Sequence, residues 1–496
     1  MIVEELATQI MQTFGFVPTA DQAKATAVFS RFLLDRDGSS VMIMRGSAGT
    51  GKTSLAAAIV KTLVKLRQRV ILLAPTGRAA KVFSVNAGRP AFTIHRRIYR
   101  QKTFAGESTG FSLNDNMYHD TLFIVDEASM IANGGGGEGA VFGTGCLLDD
   151  MVSFVYGGHN CRMMIIGDMA QLPPVGEEES PALMPDFMAG YGLKVYHCDL
   201  NEILRQASGS GILYNATEIR SMITHDEVTR LPKITFSGFA DIRMVPGGEL
   251  IEQLNSSYSE VGTDETIVIT RSNKRANAYN AGIRGMVLGR EEELTTGDML
   301  MVVRNNYYWT EKVAAEEKAL EENNKDNASA AKAENRVLPF IANGDRAMVV
   351  RVRNLREFYG LHFADVWLQF PDYDNYEIMV TAVTDSLMAE APALTHDQSE
   401  RLFNGVMEDY QDVPLKADRL KKVRQDPCYN ALQIKYAYAV TCHKAQGGQW
   451  AHIYVDQGYM TDDMLSPDYI HWLYTAFTRA TEKLFLVNWP KTQTEG

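Results

Sequence analysis

Three short segments carry residue types suited to phosphate chemistry. The first is Gly46-Ser47-Ala48-Gly49-Thr50-Gly51-Lys52-Thr53, directly after the apolar run 41–44. Its strand–GxxxxGK[ST]–helix spacing is that of a phosphate-binding loop. Gly46, Gly49 and Gly51 let successive backbone N–H groups, Thr50's among them, turn toward one anion. The positive end of the following helix adds to the attraction. Lys52 can reach β and γ phosphates, and Thr53 can offer its hydroxyl to Mg²⁺. The second segment, Asp126-Glu127-Ala128-Ser129, ends the apolar run 122–125. On a strand beside the loop, Asp126 can hold Mg²⁺ through water while Glu127 polarises the attacking water. The third, Gly167-Asp168-Met169-Ala170-Gln171-Leu172-Pro173-Pro174-Val175-Gly176, carries a neutral amide at Gln171. That amide can donate to or accept from a γ-phosphate or its water, and so can sense ATP without adding charge. The twin prolines fix the loop that follows. ATP and Mg²⁺ are the expected cofactors.

Such residues need a scaffold that brings them together. Apolar runs 41–44, 70–73, 122–125 and 163–166 alternate with helical patterns and predict buried strands of a parallel α/β sheet. In open parallel sheets ligands bind at the carboxyl ends of the strands, where all three segments fall. A second alternation begins near residue 195, with 267–269, 437–440, 452–455 and 484–487 as candidate strands. Between them, residues 312–336 are rich in Ala, Glu, Lys and Asn and predict an exposed helix or a disordered insert. Residues 347–379 alternate apolar and polar types, which predicts a small antiparallel β module. Residues 134–145 hold seven glycines in twelve positions and read as a mobile loop.

At 496 residues the chain exceeds a single core and implies several domains. Its 45% apolar and 22% charged content are ordinary for a soluble globular protein. Residues 1–16 read as an amphipathic helix rather than a signal peptide, and no apolar run is long enough to span a bilayer. No membrane partner is expected. Five scattered cysteines without a CxxC pair fit reduced thiols and a cytoplasmic location. A net charge of −12 argues against coating nucleic acid with the whole surface, yet permits a local basic channel. Residues 95–102 and 416–424 could supply one, although a charge run is more often a solvated face.

In chain order the motifs resemble those of the superfamily 1 helicases, and within them the 5′→3′ branch, superfamily 1B, of RecD/Dda-like enzymes. The matching pieces begin with Phe16-Val17-Pro18-Thr19-Ala20-Asp21-Gln22, then the phosphate loop, then Ala74-Pro75-Thr76-Gly77-Arg78-Ala79-Ala80 with Thr93-Ile94-His95. The two acidic and glutamine segments follow, then Leu200-Asn201-Glu202-Ile203-Leu204-Arg205-Gln206 and Thr270-Arg271-Ser272-Asn273. Thr441-Cys442-His443-Lys444-Ala445-Gln446-Gly447 and Tyr474-Thr475-Ala476-Phe477-Thr478-Arg479-Ala480 close the set.

The resemblance implies an α/β fold of two RecA-like parallel-sheet P-loop NTPase domains in tandem, with a small β-pin insertion and an inserted antiparallel β (SH3-like) module. The implied boundaries are 1–195 with the pin at 96–120, then 196–340 and 436–496, with the β module at 341–435. It implies that Gln22 reads adenine and that Arg205 and Arg479 act with Lys52, Glu127 and Gln171 from a facing domain. It also implies nucleic-acid contacts at Pro75, Thr76, His95, Asn343, Thr441, His443, Lys444 and Gln446. Phe111, or second Phe104, is the candidate strand-separating wedge on the pin; the alternative is that Phe111 packs the pin against its own domain. The implied activity is ATP-driven 5′→3′ translocation on single-stranded DNA with opening of ss/dsDNA junctions, by a monomer, in repair, recombination or replication. A motor subunit of a recombination, repair or conjugation complex and a nucleotide-gated clamp are the alternatives. A phosphate-loop kinase has no use for Gln171 and two arginines in this order. The long insertion containing 312–336 departs from the family pattern.

Overall fold

The computed structural model describes residues 2–104, 107–134, 143–202, 209–224, 230–323, 340–391 and 393–495. By compactness the chain divides into two units. One comprises Met1–Met244, Ala445–Gln449 and Tyr459–Gly496; the other comprises Val245–Lys444 and Trp450–Gly458.

The first unit is built on β1 (Ser40–Gly46), β2 (Arg69–Ala74), β3 (Ala91–Thr93), β4 (Tyr99–Phe104), β5 (Glu107–Leu113), β6 (Thr121–Val125), β7 (Arg162–Gly167) and β8 (Lys194–Leu200). Six of these form one sheet in the order β3-β2-β6-β7-β1-β8. Every pairing in it is parallel. Val41, Met42, Ile43 and Met44 are all fully buried, as are Phe123, Ile124 and Val125. Both faces of the sheet are covered, so its strands read as unbroken apolar runs rather than as an alternation. One face packs on helices Ile2–Phe14, Ala20–Leu33 and Lys52–Lys65 through Ile10, Phe14, Phe29, Leu55 and Ile59. The strands expected at 41–44, 70–73, 122–125 and 163–166 are all present. Because they run parallel, the phosphate loop, Asp126 and Asp168 leave the sheet along one edge.

β4 and β5 pair antiparallel outside this sheet, with Tyr99 opposite Leu113 and Gln101 opposite Phe111. Two short strands follow, β9 (Ile234–Thr235) and β10 (Ile242–Val245).

In the second unit, β11 (Thr266–Thr270) pairs in parallel with two later strands. A closed barrel comes between them in sequence: β12 (Met299–Val302), β13 (Arg346–Phe358), β14 (Leu361–Phe370), β15 (Tyr376–Val383) and β16 (Leu432–Tyr436). Leu361, Phe363, Val366, Leu368 and Phe370 of β14 are fully buried. Closure leaves no edge exposed. The barrel draws its first strand from before residue 341 and its last from across 435. The parallel partners of β11 are β17 (Ala439–Thr441) and β18 (Trp450–Asp456). The helical part of the 312–336 tract belongs to Tyr308–Asn323, and residues 324–339 lie outside the described residues. So do 135–142 of the glycine-rich stretch.

The chain returns to the first unit with helix Pro467–Phe477, β19 (Ala480–Val487) and β20 (Thr494–Glu495), the last pairing with β9. The sequence boundaries assign 436–496 to the second α/β domain, whereas compactness groups most of that segment with the phosphate loop. The cause is local. Tyr474, Thr475 and His471 on one helix all hydrogen-bond to the loops that follow β1 and β7. Among the described residues no helix is long and apolar enough to cross a membrane.

Candidate nucleotide-hydrolysis site

β1 ends at Gly46, where a side chain has no room: a Cβ there would lie 2.8 Å from Thr50 Oγ1 and 2.9 Å from Leu200 Cβ. Gly49 and Gly51 follow with φ of +76° and +78°, a conformation that disfavours side-chain-bearing residues. Thr50 Oγ1 donates to Ser47 O at 2.8 Å and closes the turn. Helix Lys52–Lys65 then starts directly, so its unsatisfied N–H groups face whatever the loop encloses. Lys52 Nζ donates to Ser47 O at 2.9 Å and lies 4.0 Å from Asp168 Oδ2. Gln22 supports the loop from behind. A capping box at Thr19 fixes the start of its helix, and its Nε2 donates to Thr50 O at 2.9 Å.

β6 delivers Asp126 and Glu127. Burial, reinforced by the charge of Glu127, pushes the Asp126 carboxyl up to about 7, while Lys52 pulls the other way. A cation beside this pair would relieve that cost. Thr53, Asp126 and Glu127 line a cavity of about 220 Å³ together with Ala79, Gly447 and Gln449. Among the described residues no cluster of three or more His, Cys, Asp or Glu side chains could hold a metal alone. One hydroxyl and one carboxylate suit Mg²⁺, which takes its remaining oxygens from phosphate and water. Glu127 has φ +53°, a strained left-handed conformation for a residue with a side chain.

Around Glu127 the other expected groups converge. Gln171 Nε2 donates to Glu127 Oε2 at 3.4 Å, and Arg479 Nη1 lies 3.9 Å from Glu127 Oε1. Gln171 is 4% exposed, and its Oε1 is buried without a hydrogen-bond partner. A buried acceptor with no donor is costly unless a ligand or water supplies one. This orphan, the side-chain-free cradle at Gly46 and the paired carboxylates all fit a nucleotide phosphate with its metal. Arg479 is 2% exposed and held by Thr475 O, Gly448 O and Thr478 Oγ1. It shares the compact unit of the phosphate loop rather than the second one. Arg205 lies outside the described residues.

Two groups at this site went unassigned in the sequence. Tyr474 Oη accepts the Ala48 N–H at 2.9 Å and donates to Asp168 Oδ2 at 2.7 Å. Arg220 donates to Ser47 Oγ at 2.6 Å and to Asn201 Oδ1 at 2.7 Å. The only sequence signal was that the tyrosine opens the segment Tyr474–Ala480 that contains Arg479.

The nucleic-acid candidates are distributed over both units. In the first, Thr76 accepts from Ala79 N at 3.2 Å and caps helix Gly77–Ala87. Pro75 precedes it, and Gly447 approaches so closely that a Cβ would lie 2.8 Å from Thr76 Oγ1. Gln446 Nε2 donates to Leu172 O at 2.6 Å, next to Gln171. His95 packs its ring on Tyr99 at 5.6 Å, and burial pushes its imidazole down to about 4. Phe111 is 9% exposed; the side chain of Phe104 lies outside the described residues. In the second unit Thr441 ends β17, with His443 and Lys444 next. Burial and the charge of Lys435 lower Lys444 to about 8. Asn343 is exposed, its N–H bonded to Asn305 Oδ1 at 2.6 Å.

A parallel sheet, a glycine cradle and a lysine–carboxylate–glutamine cluster at its edge define a phosphate-loop nucleotide site. Residues 35–177 match the family described as an AAA domain, and residues 436–487 the family described as a UvrD-like helicase C-terminal domain. Over 265 residues the chain is 26% identical to the ATP-dependent DNA helicase dda of Enterobacteria phage T4, covering 52% of this chain and 55% of that protein. Over 139 residues it is 31% identical to the ATP-dependent RecD2 DNA helicase of Deinococcus radiodurans, covering 28% and 17%. The chain thus spans about half the length of the first relative and less of the second. A crystal structure of Pif1 helicase from Bacteroides with ADP-AlF3 and ssDNA aligns over 97% of this chain and 95% of its own, at 15% identity and a TM-score of 0.46. The family matches and the helicase relatives agree with the motif resemblance to RecD/Dda-like enzymes of superfamily 1B.

Proposed function

We propose that the chain is an ATP-dependent DNA helicase that translocates 5′→3′ on single-stranded DNA and opens ss/dsDNA junctions. The observation that carries this reading is the gathering of Lys52, Glu127, Gln171 and Arg479 around one phosphate loop, with an orphaned acceptor at Gln171 Oε1. ATP is the substrate. Lys52 compensates β and γ phosphate charge, Glu127 takes the proton from the attacking water, and Gln171 orients that water. Arg479 stabilises charge on the transferring phosphoryl group, with Arg205 as the second arginine. Mg²⁺, held by Thr53 and Asp126, would neutralise phosphate charge.

The two α/β units serve as tandem RecA-like domains, the barrel as an SH3-like module and the β4–β5 hairpin as the pin. The burial of Phe111 supports the reading in which its ring packs the hairpin against its own unit. Single-stranded DNA contacts fall to Pro75, Thr76, His95, Asn343, Thr441, His443, Lys444 and Gln446. A cytoplasmic monomer acting in repair, recombination or replication completes the proposal.

The test is the rate of ATP hydrolysis with and without single-stranded DNA. A motor is strongly stimulated by the strand. A rate indifferent to DNA would overturn the proposal in favour of another phosphate-loop enzyme, and nucleotide binding without turnover in favour of a clamp.

A further inference from the structure

Asp168 stands where three groups of the site meet. It is 3% exposed, and its Oδ1 accepts the Ala170 N–H at 3.0 Å. Its Oδ2 accepts the Tyr474 hydroxyl at 2.7 Å and faces the Lys52 ammonium at 4.0 Å. Tyr474, 1% exposed, also receives the Ala48 N–H of the phosphate loop at 2.9 Å. A buried carboxylate is stable only if its lone pairs are satisfied by donors or by a cation. Here a neutral hydroxyl donates to the same carboxylate oxygen that faces Lys52. Lys52 instead rests on Ser47 O within its own loop, at 2.9 Å.

We propose that the Tyr474 hydroxyl is a positioning group that keeps Lys52 available to nucleotide by occupying Asp168 Oδ2 in its place. The inference rests on reading the loop as a nucleotide site, and it assigns Tyr474 a role distinct from that of Arg479 on the same segment. Burial holds the phenol well above its ordinary range, so the hydroxyl keeps the proton it donates. Without that donor, the cation facing Asp168 Oδ2 is Lys52, and a closed Lys52–Asp168 pair must be broken before the lysine can meet a phosphate. Charge-assisted hydrogen bonds of this kind correspond to about a tenfold or greater change in an equilibrium constant.

The test is equilibrium binding of mant-ADP to the full chain, which requires neither hydrolysis nor DNA. Tyr474→Phe removes one oxygen and keeps the ring. It should weaken mant-ADP binding about tenfold and raise KM for ATP in proportion, while kcat at saturating ATP stays within about threefold because the reacting groups are untouched. Adding Asp168→Asn to Tyr474→Phe removes the competitor and should restore binding to within about threefold of wild type. Unchanged binding in Tyr474→Phe, or no rescue in the double variant, overturns the inference. If Tyr474→Phe fails to fold, Asp168→Asn alone decides: binding as tight as wild type or tighter supports the competition, and weaker binding refutes it. A wild-type chain that does not bind mant-ADP would overturn the nucleotide-site reading itself, which separates the two failures.

Discussion

Glu127→Gln should slow turnover at least about a hundredfold while leaving nucleotide binding intact, and the structure bears on the size of both effects. The amide is isosteric and can still accept from Gln171 Nε2, now 3.4 Å from Glu127 Oε2. The substitution gives up the ion pair with Arg479, which is long at 3.9 Å. Arg479 keeps its bonds to Thr475 O, Gly448 O and Thr478 Oγ1, so the stability change should stay below about 1 kcal/mol. Removing the glutamate charge also removes one cause of the raised Asp126 carboxyl, which favours the ionised form that a metal needs. Binding of ATP with Mg²⁺ should therefore survive. What disappears is the proton acceptor for water, and a lost general base slows reactions by about 10²–10⁴-fold. A hundredfold loss is about 2.7 kcal/mol in barrier height. Single-turnover phosphate release read beside mant-ATP binding and a thermal midpoint separates the three quantities. Turnover near wild type, with binding and midpoint unchanged, would refute the assignment of Glu127 as base.

Asp126 supplies a pH test. With its carboxyl pushed up to about 7 against an unfolded value of 3.8, the folded chain holds the extra proton between those limits. Its contribution to stability is therefore complete at low pH and is lost as pH rises through about 7. Asp126→Asn should flatten the fall in urea midpoint between about pH 4 and 7, leaving a residual slope from Asp345, which burial also pushes up to about 7; an identical slope in the variant contradicts this. Phe111→Ala should cost about 3 kcal/mol, as expected for a buried ring, and lower hydrolysis and unwinding together. Loss of unwinding alone, at an unchanged thermal midpoint, would instead make the ring a wedge. Single-strand binding, measured by fluorescence anisotropy on mixed-sequence oligonucleotides, should be sequence-tolerant and fall steeply from low to moderate salt. A constant that hardly moves would exclude phosphate contacts as its main source.

The first sheet was legible because both of its faces are buried, which leaves strands such as 41–44 as solid apolar runs. The inserted module was expected to be antiparallel throughout, and it was legible only in its long antiparallel middle strands, β13 to β15; β16 closes the barrel by pairing in parallel with β15. Its closing strands, β12 and β16, are runs of four and five residues that carry too little pattern to assign to a barrel. The phosphate loop, the acidic pair and Gln171 could be read because each chemistry demands a residue type at a fixed spacing. Tyr474 could not, since its partners Ala48 and Asp168 lie 426 and 306 positions away and only the fold brings them near. The motif resemblance assigned Arg479 to the transferring phosphate, and the structure places its guanidinium 3.9 Å from Glu127 Oε1. The helix just before Arg479, Pro467–Phe477, hydrogen-bonds to the loops after β1 and β7 through contacts that have no counterpart in local sequence. The sequence left Phe111 open between a wedge and a packing residue, and its 9% exposure is what the structure adds.

The central claim is directional, ATP-driven strand separation, and strand displacement on duplexes that differ only in tail polarity tests it most directly. With ATP and Mg²⁺, the chain should release the strand from a 5′-tailed duplex and leave the 3′-tailed duplex intact, and Lys52→Ala should release neither. Efficient opening of the 3′-tailed duplex alone, or of neither by a wild-type chain that hydrolyses ATP on single strands, would contradict the claim.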